Sequence, residues 1–197
     1  MQGNVFRVKV VLVGDSYVGK SNLISRFVEG QFSHSLRSTI GIEISRKTLH
    51  FGERSLEVSV WDTAGQEKYR SLTVNFYRRA MGALLVFDLC NQASLQHLID
   101  YWYPELVNYA PDATCLIVGN KCDEQARQVP VQLATHFADK LGLPYIETSA
   151  LRDFGVVHAF DTLLSQIVRS LLKPTTLPEP QDSLDLNQQD RKHRCCP

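Results

Sequence analysis

Between Phe6 and Leu172 the chain alternates short apolar runs with longer stretches whose apolar residues recur every three or four positions. Phe6 to Val13 begins in alternation and ends as the continuous run Val10-Val11-Leu12-Val13, the pattern of a strand buried on both faces. Lys20 to Val28 sets Leu23, Ile24 and Phe27 on one helical face, and Ile42 to Phe51 and Leu56 to Trp61 flank Phe51-Gly52-Glu53-Arg54 as a hairpin. Ala83 to Asp88 and Thr114 to Asn120 are further apolar strands, followed by helical patterns at Ala93 to Asn108 and Val131 to Leu141. Pro144 to Glu147 reads as a short strand, and Val156 to Leu172 repeats Val157, Phe160, Leu164, Ile167 and Leu171 at helical spacing. The pattern predicts an α/β fold with six strands in a mostly parallel sheet and helices on both faces. In such sheets ligands sit beyond the carboxyl ends of the strands.

The pattern fails after residue 173. Residues 174–197 hold four of the eight prolines, no glycine and no aromatic residue, which is too little apolar surface to offset ordering entropy. The chain is therefore expected to comprise a domain over residues 1–173 and a disordered tail over 174–197. Lys+Arg 21 balances Asp+Glu 21 in the whole, so no dominant field for nucleic acid is expected. Within the tail, acids come first (Glu179, Asp182, Asp185, Asp190) and Arg191, Lys192, His193 and Arg194 cluster near the end. The longest apolar run, Ala83 to Phe87, falls far short of the roughly 18 residues of a spanning helix. Met1-Gln2-Gly3-Asn4 lacks the basic and apolar character of a secretory leader. Myristoylation needs a glycine directly after the initiator methionine, and Gln2 occupies that place. Five cysteines without a C-x-x-C argue for a reducing compartment, with Cys90 and Cys115 expected in the core. None of the six histidines has metal-ligand spacing.

The chemistry begins after the first strand. Gly14-Asp15-Ser16-Tyr17-Val18-Gly19-Lys20-Ser21 fits G-x-x-x-x-G-K-[ST] between a strand and a helix. Glycines let backbone N–H groups wrap phosphates, and the following helix, which opens with Lys20-Ser21-Asn22, adds its positive N-terminal dipole. Lys20 reaches the outer phosphates and the Ser21 hydroxyl serves Mg²⁺. This implies a nucleoside triphosphate but does not choose the base. Two later strand ends do: Asn120-Lys121-Cys122-Asp123, and Glu147-Thr148-Ser149-Ala150. The Asp123 carboxylate can accept from the N1–H and 2-amino groups that guanine has and adenine lacks. Lys121 can lay its stem along the base, and the Ala150 N–H can donate to guanine O6. Another base would leave a carboxylate unpaired, so guanine is favoured.

With these motifs the chain resembles the small GTPases of the Ras superfamily, and specifically the Rab family, over residues 6 to 172 and again at the extreme C-terminus. The resemblance implies a P-loop GTPase fold and a GTP/GDP switch. It makes Thr39, in Ser38-Thr39-Ile40-Gly41, the residue that binds Mg²⁺ and senses the γ-phosphate, and Phe32 the aromatic against guanine. Trp61-Asp62-Thr63-Ala64-Gly65-Gln66-Glu67-Lys68-Tyr69-Arg70 resembles the second switch. There Asp62 serves Mg²⁺ through water, the Gly65 N–H meets the γ-phosphate and Gln66 orients the attacking water. Lys20, Thr39 and Gln66 are thus the expected catalytic residues, and Ser21, Thr39 and Asp62 the expected metal ligands. No arginine stands ready for the transition state, so slow turnover of roughly 10⁻⁴ per second without an activating protein is expected.

Three positions bear on variation within the family. The aromatic triad that effectors contact becomes Ile44, Trp61 and Phe76, with Trp61 and Phe76 as ordinary core as the plainer reading. The pattern E-T-S-A-K becomes Glu147-Thr148-Ser149-Ala150-Leu151, which keeps Ser149, Ala150 and apolar cover by Leu151 but loses the cation. The end, Arg194-Cys195-Cys196-Pro197, is not a CaaX box and resembles the Rab double-cysteine terminus, implying geranylgeranyl groups on Cys195 and Cys196. The expected partners are an exchange factor, a GTPase-activating protein, escort and dissociation-inhibitor proteins, effectors and a membrane surface, for a monomer. The expected location is the cytosolic face of an intracellular membrane, cycling with the cytosol, in vesicle trafficking. Alternatives are a GTP-gated adaptor with negligible hydrolysis and a Ras-superfamily GTPase outside trafficking.

Overall fold

A computed structural model describes residues 5–34, 39, 41–51, 54–63 and 73–172 of the chain. Strand β1 (Val5–Val13) leads through the glycine-containing turn into α1 (Lys20–Glu29). Then come the strands β2 (Ile42–Phe51) and β3 (Arg54–Thr63), the short α2 (Thr73–Tyr77) and β4 (Gly82–Asp88). Next follow α3 (Gln92–His97), a π-turn (Leu98–Trp102) and α4 (Tyr103–Tyr109), then β5 (Thr114–Asn120), α5 (Val131–Leu141), β6 (Tyr145–Thr148) and α6 (Val156–Leu172). The six strands form one sheet in the order β2-β3-β1-β4-β5-β6. Only β2–β3 is antiparallel, with Ile44 opposite Trp61; the other pairs are parallel.

The predicted class and strand count hold, and burial explains why they were readable. Along β4, Leu84 and Val86 join Phe27, Phe160, Leu163 and Ile167 in one core beneath α1 and α6. Ala83, Leu85 and Phe87 face the opposite way, against Phe76, Tyr77, Leu98, Leu106 and Phe137. A strand covered on both sides needs apolar residues at every position, which is the continuous run in the sequence. Strand β2 lies at an edge, and its Ile44, Arg46, Thr48 and His50 are exposed. The sheet order reverses at β1, whose neighbours are β3 and β4, so the crevice beyond Val13 is a topological switch point.

Two expectations need revision. The helix expected over Ala93 to Asn108 runs from Gln92 to Tyr109 but is not uniform, because a π-turn interrupts it at Leu98–Trp102. Leu95, Leu98 and Leu106 are buried at spacings that an uninterrupted helix would also satisfy, so the widened turn left no mark in the pattern. Cys115 is in the core as expected, but Cys90 is only half-buried. Its N–H donates to Asp88 Oδ1 (2.8 Å) in the turn that leaves the sheet after β4, where ligands rather than core packing are to be found.

The rings of Phe27 and Phe160 stack at 3.9 Å between centroids and join α1 to α6 beneath the P-loop. Both are almost fully buried, so Phe160→Ala is expected to cost about 3–5 kcal/mol. Urea denaturation of purified protein measures this directly.

Candidate functional site

The turn Gly14–Ser21 closes over the switch point, and two of its residues must be glycine. A Cβ on Gly14 (φ +145°) would lie 2.0 Å from the carbonyl oxygen of Val86, and one on Gly19 (φ +99°) 2.3 Å from Asn120 Nδ2. The loop is therefore pressed onto the ends of β4 and β5 at the two places where it has no side chain. Tyr17 is exposed with φ +65°, an uncommon conformation for a bulky residue and a local strain held by the closed loop. Lys20 turns back across the loop and donates to the carbonyl oxygens of Gly14 (2.8 Å) and Asp15 (2.7 Å). Burial lowers its ammonium to about 8, opposed by the carboxylates of Asp62 and Asp15. A cation buried beside backbone amides is suited to receive an anion.

Three oxygen-bearing side chains converge next to it. Ser21 Oγ lies 3.0 Å from Thr39 Oγ1 and donates to Asp62 Oδ2, which Thr39 Oγ1 also reaches at 3.0 Å. Asp62 is only 3% exposed, and its other oxygen, Oδ1, has no hydrogen-bond partner among the described residues. A buried carboxylate oxygen left unpaired beside two hydroxyls is a hard, all-oxygen donor set, which fits Mg²⁺. These are the three residues expected to hold that ion.

The second half of the site is built around Asn120. Its buried carboxamide donates from Nδ2 to the Val18 carbonyl (2.9 Å), while Oδ1 accepts from Thr148 Oγ1 (3.0 Å) and the Ala150 N–H (3.3 Å). Asn120 thus ties the P-loop to the loop after β6, and the Ala150 N–H expected to face a base is engaged with it. Lys121 (φ +66°) pairs with Asp88 Oδ2 at 2.7 Å, fixing its position beside the turn. Asp123 is half-buried and makes no hydrogen bond or ion pair among the described residues. Ser149, fully buried, accepts the Arg152 N–H on its hydroxyl (2.9 Å) and tightens the turn that carries Ala150 and Leu151.

Arg26, on α1, holds this loop from the other side. Nε donates to the Ala150 carbonyl (2.8 Å), Nη2 to that of Leu151 (3.1 Å) and Nη1 to that of Gly30 (2.9 Å). The same guanidinium lies 5.8 Å from the Phe32 ring, which meets His34 edge-on, and the Asn22 side chain accepts the Ser33 N–H at 3.2 Å. Arg127 grips Glu147 through both terminal nitrogens, and Tyr145 Oη donates to Glu147 Oε1 at 2.8 Å. The hydrogen bonds from Arg127 hold the Glu147 carboxyl below its usual range, against the opposing effect of burial.

The expected phosphate, metal and base residues therefore lie around one crevice: Gly14 to Asn22, Phe32, Thr39, Asp62, Asn120, Lys121, Asp123 and Ser149 to Leu151. Gly65, Gln66, Cys195 and Cys196 fall outside the described residues. Of the effector triad, Ile44 is exposed and Trp61 half-buried, neighbours across two strands, while Phe76 is buried in the core. Lys9 Nζ stands 3.7 Å over the Trp61 ring. Sequence reasoning missed Arg26, Asp88, Thr148 and Arg127. Each supports the site through a partner distant in sequence, so only Asp88 and Thr148, the last residues of β4 and β6, carried a signal, by their place at a carboxyl end.

Comparison with known proteins agrees with this geometry. The model of the Ras family matches residues 9–169. The Ras-related protein Rab-25 of Homo sapiens is 46% identical over 171 residues, which cover 85% of this chain and 79% of that protein. The Ras-related protein RABA4b of Arabidopsis thaliana is 43% identical over 173 residues, 87% of this chain and 77% of its own. The Ras-related protein Rab-11A of Dictyostelium discoideum is 42% identical over 181 residues, 91% of this chain and 84% of its own.

The Arg127–Glu147 pair gives a pH-dependent test. A depressed carboxyl stabilises the fold above its unfolded value, near pH 4.5, and that contribution disappears as pH falls through the folded value. Arg127→Leu is expected to cost about 1 kcal/mol at pH 7, and the gap to wild type should narrow in denaturant titrations as pH falls below the unfolded value.

Proposed function

The chain belongs to the Rab family of Ras-type small GTPases, and from that premise we propose how its own residues operate the GTP/GDP switch that serves membrane trafficking. The convergence of Lys20, Ser21, Thr39 and Asp62 at one end of the crevice is the observation that carries the reading. The P-loop amides and Lys20 bind and orient the triphosphate, exchanging the loop carbonyls of Gly14 and Asp15 for phosphate oxygens. Ser21, Thr39 and Asp62 would hold Mg²⁺, which would supply charge neutralisation on the phosphates. Lys121 and Phe32 cover the two faces of guanine, Asp123 accepts from its N1–H and 2-amino groups, and Ser149, Ala150 and Leu151 close its O6 side. Gln66 aligns a water in line with the γ-phosphorus. The new P–O bond forms as the bond to the β-phosphate oxygen breaks, and GDP and phosphate leave.

The output is conformational. Thr39 and the Gly65 N–H hold the γ-phosphate in the GTP state and release it after hydrolysis, so effectors distinguish the two states at the switch surface. Ile44 and Trp61 form the exposed part of that surface, with Phe76 beneath it. Their departure from an all-aromatic triad selects a partner with an aliphatic complement to Ile44.

The chain acts at a membrane through its tail. Geranylgeranyl groups on Cys195 and Cys196, beside Arg191, Lys192 and Arg194, give the two-chain anchoring that one lipid cannot, with attraction to anionic lipid. An escort protein presents the tail for modification, and the lipidated monomer cycles between the cytosolic face of an intracellular membrane and the cytosol. Among the described residues no helix is long and apolar enough to cross a membrane.

Two experiments test this. Gln66→Leu should retain GTP binding while single-turnover hydrolysis falls at least about tenfold, because water alignment alone is lost. Unchanged hydrolysis removes Gln66 from the mechanism. Cys195→Ser/Cys196→Ser should leave nucleotide binding intact and shift the protein from membrane to soluble fractions; persistent membrane binding would count against lipid anchoring.

A further inference from the structure

We infer that His97 and Trp102 are positioning residues for the nucleotide pocket, acting through the side chain of Asp15 in the P-loop. The backbone carbonyl of Asp15 receives Lys20 at 2.7 Å, while its carboxylate is held by the helical segment that follows β4. Trp102 Nε1 donates to Asp15 Oδ1 at 2.7 Å, and His97 Nδ1 pairs with Asp15 Oδ2, also at 2.7 Å. Both oxygens of one carboxylate, 22% exposed, are thus engaged by two donors of a single element.

The π-turn makes this possible. His97 and Trp102 are five residues apart, a separation that in an α-helix turns their side chains about 140° away from each other. Here the Tyr103 N–H bonds to the Leu98 carbonyl, an i to i−5 bond that widens the turn between them. Fewer degrees per residue bring imidazole and indole round to the same side of the segment. Such turns are uncommon in helices and are frequent at functional sites.

The effect on the pocket follows from charge and geometry. A carboxylate on the loop that must receive phosphates is repulsive unless it is held away, and charge-assisted hydrogen bonds are the stronger kind. By fixing Asp15, the two donors also fix the carbonyl on which Lys20 rests, so the loop waits in one conformation. Preorganisation of that sort slows ligand release. The outer side of the same segment is open: Tyr101 is 56% exposed and its ring lies 5.9 Å from that of His97.

The test rests on the GTPase reading but has a part independent of it. Trp102→Phe keeps an aromatic ring and removes the donor, so release of a fluorescent GDP is expected to accelerate about tenfold, with single-turnover hydrolysis of bound GTP unchanged. His97→Leu is expected to accelerate release about threefold, in keeping with its exposure, and His97→Gln to restore it. In an Asp15→Ala background Trp102→Phe should add nothing. Unchanged release in Trp102→Phe, or equal acceleration in both backgrounds, would overturn the proposal. Without nucleotide, the indole N–H resonance of Trp102, one of only two such resonances, should move upfield in Asp15→Ala. An unmoved resonance would also overturn it. A protein that took up no guanine nucleotide would instead overturn the functional reading, leaving the indole resonance to decide the clamp.

Discussion

The buried carboxamide of Asn120 is the interaction on which the site depends. It gives one N–H to the P-loop at Val18 and its acceptor oxygen to the loop after β6 at Thr148 and Ala150. Segments far apart in sequence are held in one geometry by polar atoms kept out of water, where an unpaired one would cost roughly 1–3 kcal/mol. Gly19 takes part in the same constraint, because any side chain there would displace the amide. The phosphate and base ends of the crevice are consequently one object. A shift in one loop breaks a bond in the other.

Buried charge imposes a second constraint, of opposite sign. Lys20 and Asp62 are both nearly inaccessible, and neither forms an ion pair with the other within bonding distance. The Lys20 ammonium rests on carbonyls, and Asp62 keeps one oxygen without a partner among the described residues. Neutral partners compensate desolvated charge of this kind only in part. A polyanion with its divalent ion relieves both deficits at once. The Asp15 clamp holds the loop that carries Lys20 in the conformation that receives such a polyanion.

Much of this was legible in the sequence, for physical reasons that can be named. Val10 to Val13 and Ala83 to Phe87 read as buried strands because helices cover both sheet faces. The P-loop and the Asn120 motif were legible because function fixes residue type at fixed spacing within one turn. What stayed hidden depends on contacts across the fold. Asn120 is expected at the base, but that its Oδ1 and one Nδ2 proton also join the P-loop to the loop after β6 could not be read from its motif. Arg26 sits on the polar side of α1 and nothing in its neighbours foretells that it holds Ala150 and Leu151 from 124 and 125 residues away. The π-turn was invisible because its buried leucines fit an ordinary helix, and Phe76 was equally consistent with core and with surface until α2 buried it.

The distribution of these bonds explains how one crevice can be both selective and switchable. Its base side is cross-linked by Asn120, Arg26, the Arg127–Glu147 pair and the Lys121–Asp88 pair. On the metal side, Thr39 is joined to the domain through hydroxyl contacts with Ser21 and Asp62. In the proposed mechanism those are the oxygens that a divalent ion and a γ-phosphate would engage, so ligand and protein would compete for Thr39. A site built this way separates a densely cross-linked half from a sensor held by a few hydroxyl contacts, which is the division of labour a switch requires.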